Sequence, residues 1–181
     1  LGPCGGVSAA DKISLIQEAS MKTRLLAAGI LAWACVLPAL AAGNADVPLT
    51  DSLKADARVA GSRKVPIMLL FTSPECHYCE RVKSEFLGPM VDDPAYRNKV
   101  LIRQVEVGSD WALVGFDGKK TTHGAFAASQ KVFMVPTVKL VDGHGKELSK
   151  PIVGLLTPDY YFGYIESAME EGLDKLRGKK P

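Results

Sequence analysis

Two cysteines separated by two residues stand where an apolar run gives way to an amphipathic one, and that junction constrains the chain more than any other feature. Val65-Pro66-Ile67-Met68-Leu69-Leu70-Phe71 carries no charge, Thr72-Ser73-Pro74-Glu75 breaks it, and Cys76-His77-Tyr78-Cys79 opens the next segment. A short apolar run without polar alternation predicts a central strand covered on both faces. From Cys76 to Leu87, Cys79, Val82 and Phe86 recur at helical spacing while Glu80, Arg81, Lys83 and Glu85 fall elsewhere, which predicts an amphipathic helix ended by Gly88-Pro89. Val100 to Val107 is a second buried strand, so the two strands and the helix form a parallel β-α-β unit with a right-handed crossover.

The remaining elements follow from caps and turn residues. Thr50 to Ala60 predicts a helix over about 51–60 with Gly61 as its stop. Residues 108–120 read as a loop in which Trp111 and Phe116 pack locally and Asp117-Gly118 turns. Thr121 or Thr122 caps a helix over 122–131, and Val135 to Leu148 reads as two strands around a Gly-rich hairpin. Thr157 offers a capping hydroxyl, Pro158 the first helical position, and the last helix runs to about Leu176 before a frayed basic tail. These elements predict one α/β domain, a central mixed sheet of four strands flanked by helices with the last pair antiparallel. With 47% hydrophobic and 23% charged residues in 181, the composition excludes a disordered tail, a collagen or a disulfide-dense toxin. A net charge of +2 gives no footprint for nucleic acid or an anionic membrane surface.

The four cysteines then have to be sorted by position. Lys22 and Arg24 precede an uncharged run from Leu25 to Leu37, followed by Pro38 and Ala39-Leu40-Ala41, the pattern of a secretory signal peptide cleaved after Ala41. A retained anchor needs about 20 apolar residues without such a break. A lipoprotein site at Cys35 places Trp33 where a small residue is expected. Residues 1–20 lack an initiator Met and carry Asp11 and Glu18, so they read as an over-extended leader, with Met21 as the start and 21–41 as the signal peptide. Cys4 and Cys35 leave with these segments, and the domain over 42–181 keeps Cys76 and Cys79.

A Cys-x-x-Cys at a helix start has a direct chemical consequence. Unpaired N–H groups and the helix dipole stabilise a thiolate at Cys76, whereas Cys79 lies one turn further in. Cys76 therefore attacks a substrate disulfide and Cys79 resolves the mixed disulfide, with His77 and Tyr78 tuning the pair. A protonated His77 stabilises the thiolate and so favours the dithiol. A structural zinc site needs two more ligands, and His123 and His144 do not form a close pair. Covalent haem attachment needs His directly after the second cysteine, where Glu80 stands. A purely structural disulfide closing so short a loop restrains little of the unfolded chain.

The apolar strand, the Cys76-His77-Tyr78-Cys79 helix start and the later Val135-Pro136-Thr137 resemble the thioredoxin superfamily over residues 50–176. The resemblance implies a thioredoxin fold, a cis peptide before Pro136 beside the cysteines, and a Val135 backbone that pairs with an extended substrate. The position of the buried acid of cytosolic thioredoxin, six before the first cysteine, is Leu70 here. Tyr78 before the second cysteine is similar to glutaredoxins and exported disulfide isomerases. The signal segment, the Phe116-Asp117-Gly118 loop and the Gly-rich hairpin look like exported bacterial thioredoxin-related proteins, some of them linked to sulfur oxidation.

The resulting expectation is a monomeric periplasmic thiol–disulfide oxidoreductase without a bound cofactor or metal, exchanging disulfides with protein or small thiol substrates and acting as a reductase. A reductant in an oxidising compartment implies a membrane electron donor. The alternatives are an isomerase or oxidase of the same fold, or a non-enzymatic metal carrier using Cys76, Cys79 and His77. His123 and His144 read as surface or capping residues, Glu75 as an exposed acid, and Tyr160, Tyr161, Phe162 and Tyr164 as core and rim packing.

Overall fold

A computed structural model describes residues 46–178. The leader assigned to 1–20 and the signal peptide assigned to 21–41, with Cys4 and Cys35, lie outside the described residues. In chain order the elements are α1 (Leu53–Arg63), β1 (Ile67–Thr72), α2 (His77–Arg81) continuing through a π-helical turn (Val82–Leu87) into α3 (Gly88–Asp92), α4 (Pro94–Arg97), β2 (Leu101–Glu106), β3 (Ala112–Val114), β4 (Lys120–Thr122), α5 (His123–Ser129), β5 (Thr137–Val141), β6 (Ile152–Val153) and α6 (Pro158–Leu176). No helix among the described residues is long and apolar enough to cross a membrane.

The apolar run of β1 is buried at all six positions because it lies inside the sheet, whose strand order is β2-β1-β5-β6. β1 pairs in parallel with β2, Ile67 opposite Leu101 and Thr72 opposite Glu106, and antiparallel with β5, Phe71 opposite Thr137. Since paired residues share a face, Met68, Leu70, Gln104 and Leu140 point one way and Leu69, Phe71, Arg103 and Lys139 the other. On the first face α6 comes close enough that a Cβ at Gly172 would lie 3.2 Å from Leu140 Cδ2. Tyr161 of α6 meets Phe86 with ring centroids 4.9 Å apart, and burial pushes its phenol up to about 12. On the second face Phe126 of α5 stacks on Phe71 at 6.2 Å, and Asp56 of α1 binds Arg103. Both faces of the mixed sheet are thus covered, as the sequence predicts.

Several local expectations need correction. Ser52 is the cap of α1, its hydroxyl accepting from the Ala55 N–H at 3.2 Å, so the helix starts at Leu53. Gly61 lies within this helix, which stops at Lys64, a left-handed residue (φ 54°, ψ 47°) whose N–H returns to the carbonyls of Ala60 and Gly61. Gly88-Pro89 does not end the cysteine helix. The Gly88 N–H bonds to the Lys83 carbonyl, and this wider i→i−5 turn makes room before a proline that has no N–H and whose ring would crowd a regular α-turn. The chain stays helical to Asp92.

Residues 108–120 are not a plain loop. β3 and β4 pair as an antiparallel hairpin, Leu113 opposite Thr121, turned at Asp117-Gly118 with Gly118 at φ 84°. Phe116 packs on Phe126, whereas Trp111 is 56% exposed. After β5 the chain turns at Gly145 and returns beside β5 as a single bridge, Val141–Glu147, rather than a strand; the strand that extends the sheet is β6, opposite Thr137 and Val138. α6 begins at Pro158 as expected, but the Thr157 hydroxyl makes no capping bond.

Candidate redox site

Cys76 and Cys79 form a disulfide with their Cα atoms 5.1 Å apart. The geometry follows from the helix start. Cys76 is the extended N-cap residue (φ −93°, ψ 98°), its carbonyl accepts from the N–H groups of Cys79 (3.0 Å) and Glu80 (3.1 Å), and its Sγ accepts from the Cys79 N–H at 3.1 Å. That N–H aimed at the sulfur of Cys76 favours negative charge there once the bond is reduced. Cys79 is completely buried and Cys76 half-buried, so the outer sulfur is the one a substrate can approach. His77 and Tyr78 are both exposed, their rings edge-on at 6.0 Å. One turn on, Arg81 grips Glu85 through two bonds of 2.8 and 2.9 Å; this hydrogen bonding holds the Glu85 carboxyl below its usual range, slight desolvation opposes it, and the charges of Arg81 and His77 add to it.

The Val135–Pro136 peptide bond is cis. Pro136 is buried, Val135 half-buried, and the Pro136 carbonyl accepts from the Gly154 N–H at 2.7 Å. β1 ends and β5 begins at the same end of the sheet, Phe71 opposite Thr137, so the segment carrying Cys76 and the segment carrying Pro136 leave the sheet together. Around this end stand large apolar side chains facing solvent: Tyr78 at 57%, Met134 at 64%, Phe133 at 86% and Leu156 at 87%. Phe133, Met134 and Leu156 went unremarked in the sequence, where an apolar pair before a proline reads as core.

The other histidines part ways. His144 is exposed in the hairpin turn, its N–H on Asp142 Oδ1 at 2.8 Å. His123 is not a surface residue: its ring is fully buried, Nδ1 accepts the Glu106 N–H at 3.1 Å, and Trp111 lies edge-on at 6.4 Å. Leu70 is buried opposite Gln104, and the buried carboxylate on this face belongs to Glu106, which accepts from Gln104 Nε2 at 3.2 Å. The signal for Glu106 was a charged residue inside a run otherwise destined for burial. Glu75 is exposed, Tyr161 is core, and Tyr160, Phe162 and Tyr164 face solvent. Among the described residues no group of three or more His, Cys, Asp or Glu side chains comes together as a metal site.

A mixed sheet flanked by helices, with a cysteine pair at the helix start after its central strand, defines a thioredoxin-type fold. The family model for a thioredoxin-like domain matches residues 53–168, and the chain belongs to that family. Among solved structures it is similar to thioredoxin from Malassezia sympodialis (17% identity, 71% of this chain and 92% of that one, TM-score 0.47). It is similar as well to a thioredoxin-fold protein from Helicobacter pylori (19%, 70% and 93%, TM-score 0.44) and to a DsbH oxidoreductase (17%, 70% and 88%, TM-score 0.47). No curated protein sequence matches the chain.

Proposed function

We propose that the protein is a thiol–disulfide oxidoreductase that reduces disulfides of polypeptide substrates in the periplasm after export. The observation that carries the reading is the Cys76–Cys79 disulfide at a helix start, with Cys79 buried and Cys76 half-buried and the more accessible of the two. In the reduced protein the Cys76 thiolate attacks one sulfur of a substrate disulfide, forming a mixed disulfide and expelling the other substrate sulfur as a thiolate. The Cys79 thiolate then attacks Cys76 Sγ, closing the intramolecular disulfide and releasing the second substrate thiol. Two electrons pass from protein to substrate, and a membrane electron donor returns two electrons to the Cys76–Cys79 disulfide and restores the dithiol. The apolar side chains of Phe133, Met134 and Leu156 near Pro136 suit a polypeptide better than a small thiol.

Insulin reduction by the wild type, Cys76→Ser and Cys79→Ser tests the reading. Both variants lose turnover, and Cys79→Ser retains a stable mixed disulfide on Cys76. Equal activity in all three proteins overturns it. The direction of electron flow is tested by the reduction potential of the pair: a value well below that of the periplasmic substrates supports a reductase, and one well above them an oxidase.

A further inference from the structure

At the end of the sheet where β1 and β2 begin, a cavity of about 330 Å³ opens between α1, the α3–α4 turn and the start of β2. Its volume is at the small end of ligand-sized cavities, about 300–1,000 Å³. The partly buried Val59, Val91 and Tyr96 give it an apolar wall, and Arg63, Arg97 and Arg103 give it three guanidinium groups. It is remote from the cysteines: β2 runs six residues from Leu101 to Glu106 before reaching the level of Thr72, about 17 Å.

The three arginines are held differently. Arg103 is fixed, its Nε on Asp56 at 2.7 Å and its Nη1 on the Ile102 carbonyl at 2.8 Å, which leaves Nη2 uncommitted among the described residues. Asp56 is itself steadied by the Thr50 hydroxyl at 2.6 Å and neutralises this one charge. Arg63 and Arg97 end α1 and α4 and form no ion pair among the described residues. The cavity therefore joins an apolar wall to two uncompensated positive charges and one pre-oriented donor. A purely apolar guest leaves those charges without a counterion, and a bare small anion leaves the wall wet.

We infer that this cavity binds an aliphatic carboxylate, the chain against Val59, Val91 and Tyr96 and the head group between Arg63, Arg97 and Arg103. Octanoate is the probe, with octan-1-ol supplying the same chain without charge and acetate the same head without a chain. In ¹⁵N-resolved NMR titrations of the full chain, octanoate gives saturable shifts centred on residues 100–103 and binds at least about tenfold more tightly than either control. Arg63→Gln and Arg97→Gln each weaken octanoate about fivefold, the upper range for one exposed ion pair, while leaving insulin reduction and the unfolding midpoint unchanged. Shifts centred instead on Phe133 and Leu156, equal affinity for octan-1-ol, or arginine variants that lower the unfolding midpoint without weakening octanoate overturn the assignment. The readout does not pass through the cysteines, so its failure leaves the redox reading intact, and loss of insulin reduction in the cysteine variants leaves this one intact.

Discussion

The backbone N–H of Glu106 donates to Nδ1 of His123 at 3.1 Å, tying the end of β2 to the first residue of α5. An accepting Nδ1 requires a neutral ring with its proton on Nε2. Burial pushes the His123 pKa below 6.5; the Thr50 backbone and the carboxylates of Glu106 and Asp51 pull the other way without reversing the shift. The unfolded chain therefore binds a proton that the folded chain does not, so this contribution is fully present above pH 6.5 and is lost as pH falls toward the folded value. Urea unfolding at pH 7.5, 6.5 and 5.5 is expected to show stability falling toward acid. His123→Asn, whose carbonyl can accept the same N–H, flattens that slope; an unchanged slope assigns the acid sensitivity to other groups.

Asp56 holds two partners at once, the Thr50 hydroxyl at 2.6 Å and Arg103 Nε at 2.7 Å, with side-chain exposures of 11% for Asp56 and 23% for Arg103. Removing the carboxylate strands a largely buried guanidinium. Asp56→Asn is expected to cost about 2–3 kcal/mol, below the range for a fully buried pair because Arg103 retains some water. Replacing the partner too, in Asp56→Asn with Arg103→Met, recovers part of the loss. Denaturant unfolding measures both, and a double variant no better than the single shows that the stranded charge is not the cause.

The end of α1 offers two stabilising changes. Gly61 lies in the helix, where an added Cβ meets nothing within 4 Å, so Gly61→Ala should gain up to about 1 kcal/mol in helix propensity. Lys64 occupies the left-handed region at φ 54°, which glycine adopts without a Cβ penalty, so Lys64→Gly should gain about 1 kcal/mol. Thermal unfolding checks each, and a loss at position 64 would mean that the lysine side chain contributes more there than the backbone strain removes.

The contrast at α1 shows where the sequence was informative. β1, β2 and α6 were legible because burial on a sheet or along a long helix imposes a pattern over many residues. Gly61 misled because an isolated glycine in a helix resembles a stop, and the real stop is a lysine with no conformational signature in sequence. β3 and β4 were too short for any period to register; their hairpin is held to the segment just before α1 by tertiary bonds, such as Val114 N–H to the Asp51 carbonyl at 3.0 Å. At the site, Cys76 and Cys79 announced themselves by spacing. His123 did not, because a lone histidine carries no sign of its burial until α5 is packed against the end of β2.

The two cysteines differ in access, and that difference makes the last prediction. Cys79 is fully buried, while Cys76 is half-buried and presents its sulfur to the N–H of Cys79 at 3.1 Å beside the exposed His77. After reduction, iodoacetamide should modify Cys76 first and Cys79 only slowly. A positive charge on His77 favours the thiolate of Cys76, and stabilising the thiolate stabilises the dithiol relative to the disulfide. His77→Ala should therefore slow alkylation of Cys76 about three- to tenfold and move the reduction potential about 15–30 mV more negative, about 30 mV being a tenfold change for a two-electron couple. Both shifts must carry these signs together, because one charge acts on one sulfur. Slower alkylation with an unchanged potential would make His77 a steric gate instead.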